Sequence, residues 1–236
     1  MNDQVEVMGT IDSGVAAMSW SPDQEIVMFA TKTDNLLCMT QDFDILHEQP
    51  LFVEGFGEQM PVAVGWGKAE TQFRGSAGKM TTAPSAAPST TLTSHDDMRP
   101  RLAWRGDGQY CASLVVTSKS NVGSGQGRVL RVWSREGVLQ ATGQECNGLA
   151  HALAWRPDGS LLAGVQLVGG GAGWEVVFFE RNGLRHGEFS LPYPAESVYV
   201  RELEWSSDSS LLAVWLEATD KSWSKLQFWT TGNYHW

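Results

Sequence analysis

Cysteine is scarce in this chain of 236 residues: Cys38, Cys111 and Cys146 stand far apart and are odd in number. No CxxC pair and no Cys/His spacing is present, which removes the usual frameworks for a zinc site. Cys38 and Cys111 fall inside apolar, strand-like runs, so both are predicted to be buried thiols behaving as small core residues. No run of eighteen apolar residues occurs, which removes a membrane-spanning helix. The opening "MNDQVEVMGTIDSG" has neither the basic flank nor the apolar heart of a secretion signal. The chain therefore reads as a soluble intracellular protein without a membrane partner, expected in the cytoplasm with the nucleus as a second compartment. Basic residues are outnumbered, 17 against 27, for a net charge of −10, and they form no block. That balance repels nucleic-acid phosphates and argues against direct binding to nucleic acid.

Catalytic patterns are missing too. The glycine-rich stretches "VGSGQGR" (122–128) and "GGGAG" (169–173) do not end in Gly-Lys-Ser/Thr. Each lies between two predicted strands instead of opening a helix, so both read as hairpin loops and not as phosphate cradles. The five histidines, His47, His95, His151, His186 and His235, share no metal-binding spacing. His95 followed by Asp96 and Asp97 is a base beside possible partners, but it falls in a segment expected to be disordered, and catalysis needs positioned groups. No G-x-S-x-G elbow is present. Glu202 and Glu204 share one face of a strand by simple alternation. The sequence thus offers no catalytic, cofactor-binding or metal-binding residue, and predicts a protein that is not an enzyme and holds no cofactor.

What the chain has in quantity is tryptophan, eleven residues, and a phrase repeated four times: "MSWSPDQEIVM", "LAWRGDGQYCA", "LAWRPDGSLLA" and "LEWSSDSSLLA". Each copy sets an Asp three residues after a Trp and an apolar couple six and seven after it. With Trp66 added, the anchors Trp20, Trp66, Trp104, Trp155 and Trp205 are 46, 38, 51 and 50 residues apart. Such a period belongs to propeller blades. The fourth unit can be read strand by strand: 151–155, a turn at 156–159, 160–166, then 175–180, an Asn-Gly turn, and 184–189. The third strand recurs as "NLLCMT" (35–40), "VLRVWS" (129–134) and "KLQFWT" (225–230), with Trp133, Phe179 and Trp229 in equivalent places and Met39 the weak copy. In this reading the Trp and the apolar couple are core groups between stacked blades, and the Asp accepts backbone hydrogen bonds in the turn.

The pattern is that of an all-β, WD40-like β-propeller over residues 1–236, with four to five four-stranded blades and an incomplete ring. It lacks the strict Trp-Asp dipeptide, since Ser134 and Thr230 follow the third-strand Trp. The second unit, 62–79, departs from the rule, carrying Ala69 where the others have Asp. After it, 76–98 is rich in Ala, Ser, Thr and Pro, and is expected to be a disordered insertion.

"VGWGKAETQFRGSAGK" (64–79), "MSWSPDQE", "RPRLAWRGDGQY", "RVWSREGVLQAT", "VVFFERNGLRHGEFSLP", "DSSLLAVWLE" and "QFWTTGNYHW" together resemble the family of the largest, scaffold subunit of the Elongator complex. The likeness runs from about Val15 to Trp236 and would make the chain part of the first of two N-terminal WD-type propellers. It implies a non-catalytic scaffold that organises the other Elongator subunits, including the radical-SAM and acetyltransferase-like catalytic one. That assembly installs carboxymethyl-type groups on the wobble uridine, position 34, of certain tRNAs. Contact with tRNA would be indirect, through the full complex. Dimerisation and the basic stretch linked to tRNA belong to downstream segments and are not carried over. The alternative is a generic WD-repeat module for protein–protein interaction in another assembly. An arc of blades short of a closed ring is expected to leave apolar faces uncovered at both ends.

Overall fold

The computed structural model describes residues 7, 9–52, 92, 96–117, 127–143, 146–168 and 172–230. Fifteen strands form four sheets, and no α-helix is found among the described residues. The first sheet holds β1 (Val15–Trp20), β2 (Ile26–Thr31), β3 (Asn35–Thr40) and β4 (Ile45–Pro50). The second holds β5 (Arg101–Trp104), β6 (Tyr110–Thr117), β7 (Gly127–Ser134) and β8 (Leu139–Thr142). The third holds β9 (Leu149–Trp155), β10 (Leu161–Val168), β11 (Gly173–Glu180) and β12 (Arg185–Ser190). The fourth has three described strands, β13 (Val198–Trp205), β14 (Leu211–Ala218) and β15 (Ser224–Thr230). Every sheet is an antiparallel meander in chain order.

The repeated phrase builds the same β1–β2-type turn four times. The residue four after the Trp donates its N–H to the carbonyl one after it, at 2.8–2.9 Å in all copies. It does so with a left-handed backbone: Gly108 and Gly159 at φ 67° and 73°, Gln24 and Ser209 at 63° and 62°. Glycine takes this conformation freely, whereas Gln24 and Ser209 hold it against their Cβ. The Asp closes the turn by accepting the N–H two residues on: Asp23 from Glu25, Asp107 from Gln109, Asp158 from Ser160 and Asp208 from Ser210, at 2.9–3.2 Å.

Register then aligns the Trp with the strands beyond. Trp20 pairs with Val27 and Val27 with Met39. Trp104, Cys111 and Trp133 form the next row. Trp155, Leu162 and Phe179 form the third, and Trp205, Leu212 and Trp229 the fourth. Because side chains alternate across a strand, each row lies on one face of its sheet. In the second to fourth sheets that face packs on the sheet before it. Trp133, Cys111 and Val115 meet Ile26, Met28, Ala30, Leu36 and Cys38 of the first sheet. Trp155, Leu162 and Phe179 meet Ala112, Leu114, Leu130 and Val132. Trp205, Leu212 and Val214 meet Ala163, Val165, Val176 and Phe178. Trp104 crosses the first junction and donates its indole N–H to the Ser19 carbonyl, 3.0 Å away.

The turns clasp one another along one rim. Arg135 reaches back to Asp23 at 2.7 Å and Glu25 at 2.8 Å, and Arg156 reaches forward to the Ser209 carbonyl at 3.0 Å. At Gly106 a Cβ would run into the Pro157 carbonyl oxygen of the next sheet, so the backbone itself touches there.

Two expectations are revised, and a third, the unit anchored on Trp66, lies outside the described residues. The first two sheets bury a shared core directly. Most of the segment 76–98 also lies outside the described residues, but its last residues are firmly held: Asp96 makes a two-point ion pair with Arg128, the two side chains showing 1% and 0% exposure. Not every anchoring Trp is a core group either. Trp155 and Trp205 are buried, Trp104 is half-buried, and Trp20 is 38% exposed because no described sheet precedes its own.

Candidate interaction surface

Each sheet has a second face, made by the residues that alternate with the Trp row. In the first three sheets it receives the following sheet and is buried: Met28, Ala30, Leu36 and Cys38; then Ala112, Leu114, Leu130 and Val132; then Ala163, Val165, Val176 and Phe178. Register places Ala213, Trp215, Leu226 and Phe228 at the same positions of the fourth sheet. Here no described sheet follows. Phe228 is 65% exposed, Leu226 59% and Trp215 41%, while the side chains equivalent to Phe228 (Cys38, Val132, Phe178) are almost fully covered. The fourth sheet thus carries a fourth copy of a packing face with nothing described upon it. Trp215 and Leu226 are direct partners across β14 and β15, and Trp215 donates its indole N–H to Ser224 Oγ at 2.5 Å. Among the described residues β15 pairs only with β14, whereas the third strand of every other sheet is paired on both sides. Glu202 and Glu204 are exposed on β13, opposite Trp215 and Ala213, and border this face with negative charge.

The residues weighed for chemistry stay apart. His95 lies outside the described residues, while Asp96 and Asp97 are bound to arginines. His151 is buried on β9, and its Nε2–H donates to the Arg201 carbonyl at 2.9 Å. Burial holds this imidazole below the usual histidine range, and the Arg101 charge adds to the effect. Burial raises the thiols, Cys38 and Cys146 to about 11 and Cys111 further still, which keeps them in the protonated form at neutral pH. Asp23 and Asp208 are held at about 2, chiefly by the hydroxyls of Ser21 and Ser206 that donate to them. These four-fold repeated carboxylates are spent on turn geometry. Among the described residues no group of three His, Cys, Asp or Glu is arranged to hold a metal ion. A groove of about 420 Å³ between Trp174, Leu191, Pro192 and Tyr193 has Glu175 at its wall. That carboxylate is occupied by Ser190 Oγ at 3.2 Å and Gln166 Nε2 at 2.8 Å. The groove thus holds a Ser190 hydroxyl on the Glu175 carboxylate and, among the described residues, brings no histidine or metal-ligand cluster to them.

Sequence reading anticipated uncovered ends but did not name Trp215, Leu226 and Phe228. The signal was available: aligning KLQFWT on NLLCMT sets Leu226 against Leu36 and Phe228 against Cys38.

Serially stacked antiparallel sheets, each opening with a Trp-anchored turn, define a β-propeller architecture, and the four described sheets form a run of blades that does not close among the described residues. The model of the ELP1 first N-terminal beta-propeller family matches residues 1–236, and the chain belongs to that family. It is 46% identical over 238 residues to the Elongator complex protein 1 of Mus musculus, covering 99% of this chain and 17% of that protein. The Schizosaccharomyces pombe protein of the same name is 38% identical over 236 residues, covering 98% of this chain and 18% of its own length. The Saccharomyces cerevisiae protein is 35% identical over 260 residues, covering 98% and 19%. The chain thus spans under a fifth of the length of these relatives. Among the described residues no helix is long and apolar enough to cross a membrane.

Proposed function

We propose that this chain is a non-catalytic scaffold segment of the Elongator complex, supporting carboxymethyl-type modification of the tRNA wobble uridine by helping to organise the catalytic subunits. The observation that carries this reading is likeness along the whole chain to proteins named Elongator complex protein 1 from rodents to yeasts. The described residues agree with a role in assembly: apolar area is spent between sheets, and polar groups are spent on turns and inter-sheet clasps. In this reading the partners are the other Elongator subunits, including the radical-SAM and acetyltransferase-like one. Contact with tRNA runs through the whole complex, and the protein works in the cytoplasm, with the nucleus as a second compartment.

The test is to tag the product of the intact gene, identify what co-purifies, and measure wobble-uridine side chains in tRNA from a deletion strain by mass spectrometry. The expected result is recovery of the catalytic Elongator subunit and loss of the modified uridines. Unchanged tRNA, with recovery of a different assembly, overturns the proposal in favour of a general interaction module.

A further inference from the structure

The chain leaves the first sheet at Leu51 and Phe52 and returns to the second at Asp96, and both points rest on the same strand. Leu51 is fully buried and its N–H donates to the Asp34 carbonyl at 2.7 Å. Phe52 packs on the core between the first and second sheets, with the Arg131 guanidinium 5.3 Å from its ring centroid. At the other end Arg128 donates through Nε and Nη2 to Asp96 at 2.7 and 2.6 Å, and through Nη1 to the Arg99 carbonyl at 3.0 Å. Arg128 and Arg131 are three residues apart on β7, about 10 Å along the strand and on opposite faces. The chain therefore straddles β7, held by one arginine on each side.

The two holds differ in kind. Phe52 is packed in an apolar cluster, whereas Asp96 is held chiefly by its buried two-point ion pair with Arg128, whose Nη2 also lies 3.5 Å from Asp97 Oδ1. Asp96 also accepts the Met98 N–H at 2.8 Å, and Met98 has a left-handed backbone at φ 60°, a strained turn for a residue with a Cβ. Directly after Asp96, Asp97 binds Arg101 at 2.6 Å, and Arg101 opens β5. β5 has four residues where the other inner strands, β1, β9 and β13, have six, seven and eight. The shortest inner strand thus follows immediately on the most charge-dependent anchor.

We infer that Asp96 and Arg128 form a releasable latch that seats β5 in the blade stack. The reason is thermodynamic. Removing one partner of a buried pair strands the other charge, so the latch is either fully engaged or strongly unfavourable. Because β5 has few pairing positions of its own, it loosens before the longer strands do.

Hydrogen–deuterium exchange of the intact chain, read peptide by peptide, tests this. Asp96→Asn is expected to speed exchange at 101–104 by roughly 10- to 100-fold while 211–218 stays protected. Arg128→Lys keeps the charge but loses the two-point grip, and is expected to give the same local pattern at smaller amplitude. It also serves if Asp96→Asn does not fold. Phe52→Ala, at the other anchor, is expected to leave 101–104 protected. Unchanged exchange at 101–104 in the Arg128→Lys chain, or an equal rise in all four sheets, overturns the latch.

Discussion

Phe228 offers the most direct check on the stacking argument, because the same side chain is nearly bare here and its counterparts are core. Phe228 is 65% exposed and Phe178, at the equivalent place one sheet earlier, is 1% exposed. Burying a phenylalanine side chain is worth about 1.5–3 kcal/mol in transfer alone, and Phe→Ala in a packed core costs about 3–5 kcal/mol once the cavity is included. With about two-thirds of its surface already in water, Phe228→Ala in the 236-residue chain is expected to cost under about 1 kcal/mol. Phe178→Ala is expected to cost the full core amount. In a longer protein whose next blade covers this face, Phe228→Ala should cost as much as Phe178→Ala. Urea unfolding followed by tryptophan fluorescence gives all three values. Light scattering adds a second readout: the 236-residue chain, with Phe228, Leu226 and Trp215 bare, is expected to self-associate, and Phe228→Glu to shift it toward monomer. A core-sized loss for Phe228→Ala in the short chain, or a compact monomer that Phe228→Glu does not alter, would refute the reasoning.

Three further outcomes follow from the turns, the buried imidazole and the thiols. Gln24→Gly relieves a left-handed backbone and should raise stability by up to about 1 kcal/mol, whereas Gly159→Ala imposes that strain and should lower it by about 1–2 kcal/mol, both read from urea midpoints. His151 is held below the usual histidine range. Its contribution is therefore intact above about pH 6.5 and is lost as the solution becomes more acidic. Asp23 and Asp208, near 2 when folded, lose theirs later, between their unfolded value of 3.8 and about 2. The melting temperature should thus fall in two stages, and His151→Gln should flatten the first. With all three thiols raised by burial, the folded chain should leave Cys38, Cys111 and Cys146 unreactive toward a disulfide reagent at pH 8, and 6 M urea should release them.

Much of the fold was legible because one short phrase settles both a turn and a register. Trp155 and Asp158 fix where β9 ends and how the chain reverses, and the apolar couple at Leu161 and Leu162 starts β10. The third strands, with Met39, Trp133, Phe179 and Trp229 in one register position, were visible as a hydrophobic pattern for the same reason. Other features depended on neighbours, which local sequence does not specify. Trp20 and Trp205 sit in equivalent phrases, yet one is part-exposed and the other buried, since burial depends on the preceding sheet. Asp96 was assigned to a disordered stretch on composition, because its partner Arg128 lies 32 residues away and a long-range ion pair leaves no local trace. The exposed face at Trp215, Leu226 and Phe228 needed the strands to be aligned with one another before it could be seen.

Gly106 has an effect that reaches past its own turn. Since its missing Cβ is what lets the backbone meet the Pro157 carbonyl, the residue acts as a gauge for the angle between two neighbouring slices of the fan. Any side chain there would be a wedge driven in at one rim. The tilt would grow at that joint alone, and the curvature of the arc would no longer suit a circle of equal steps.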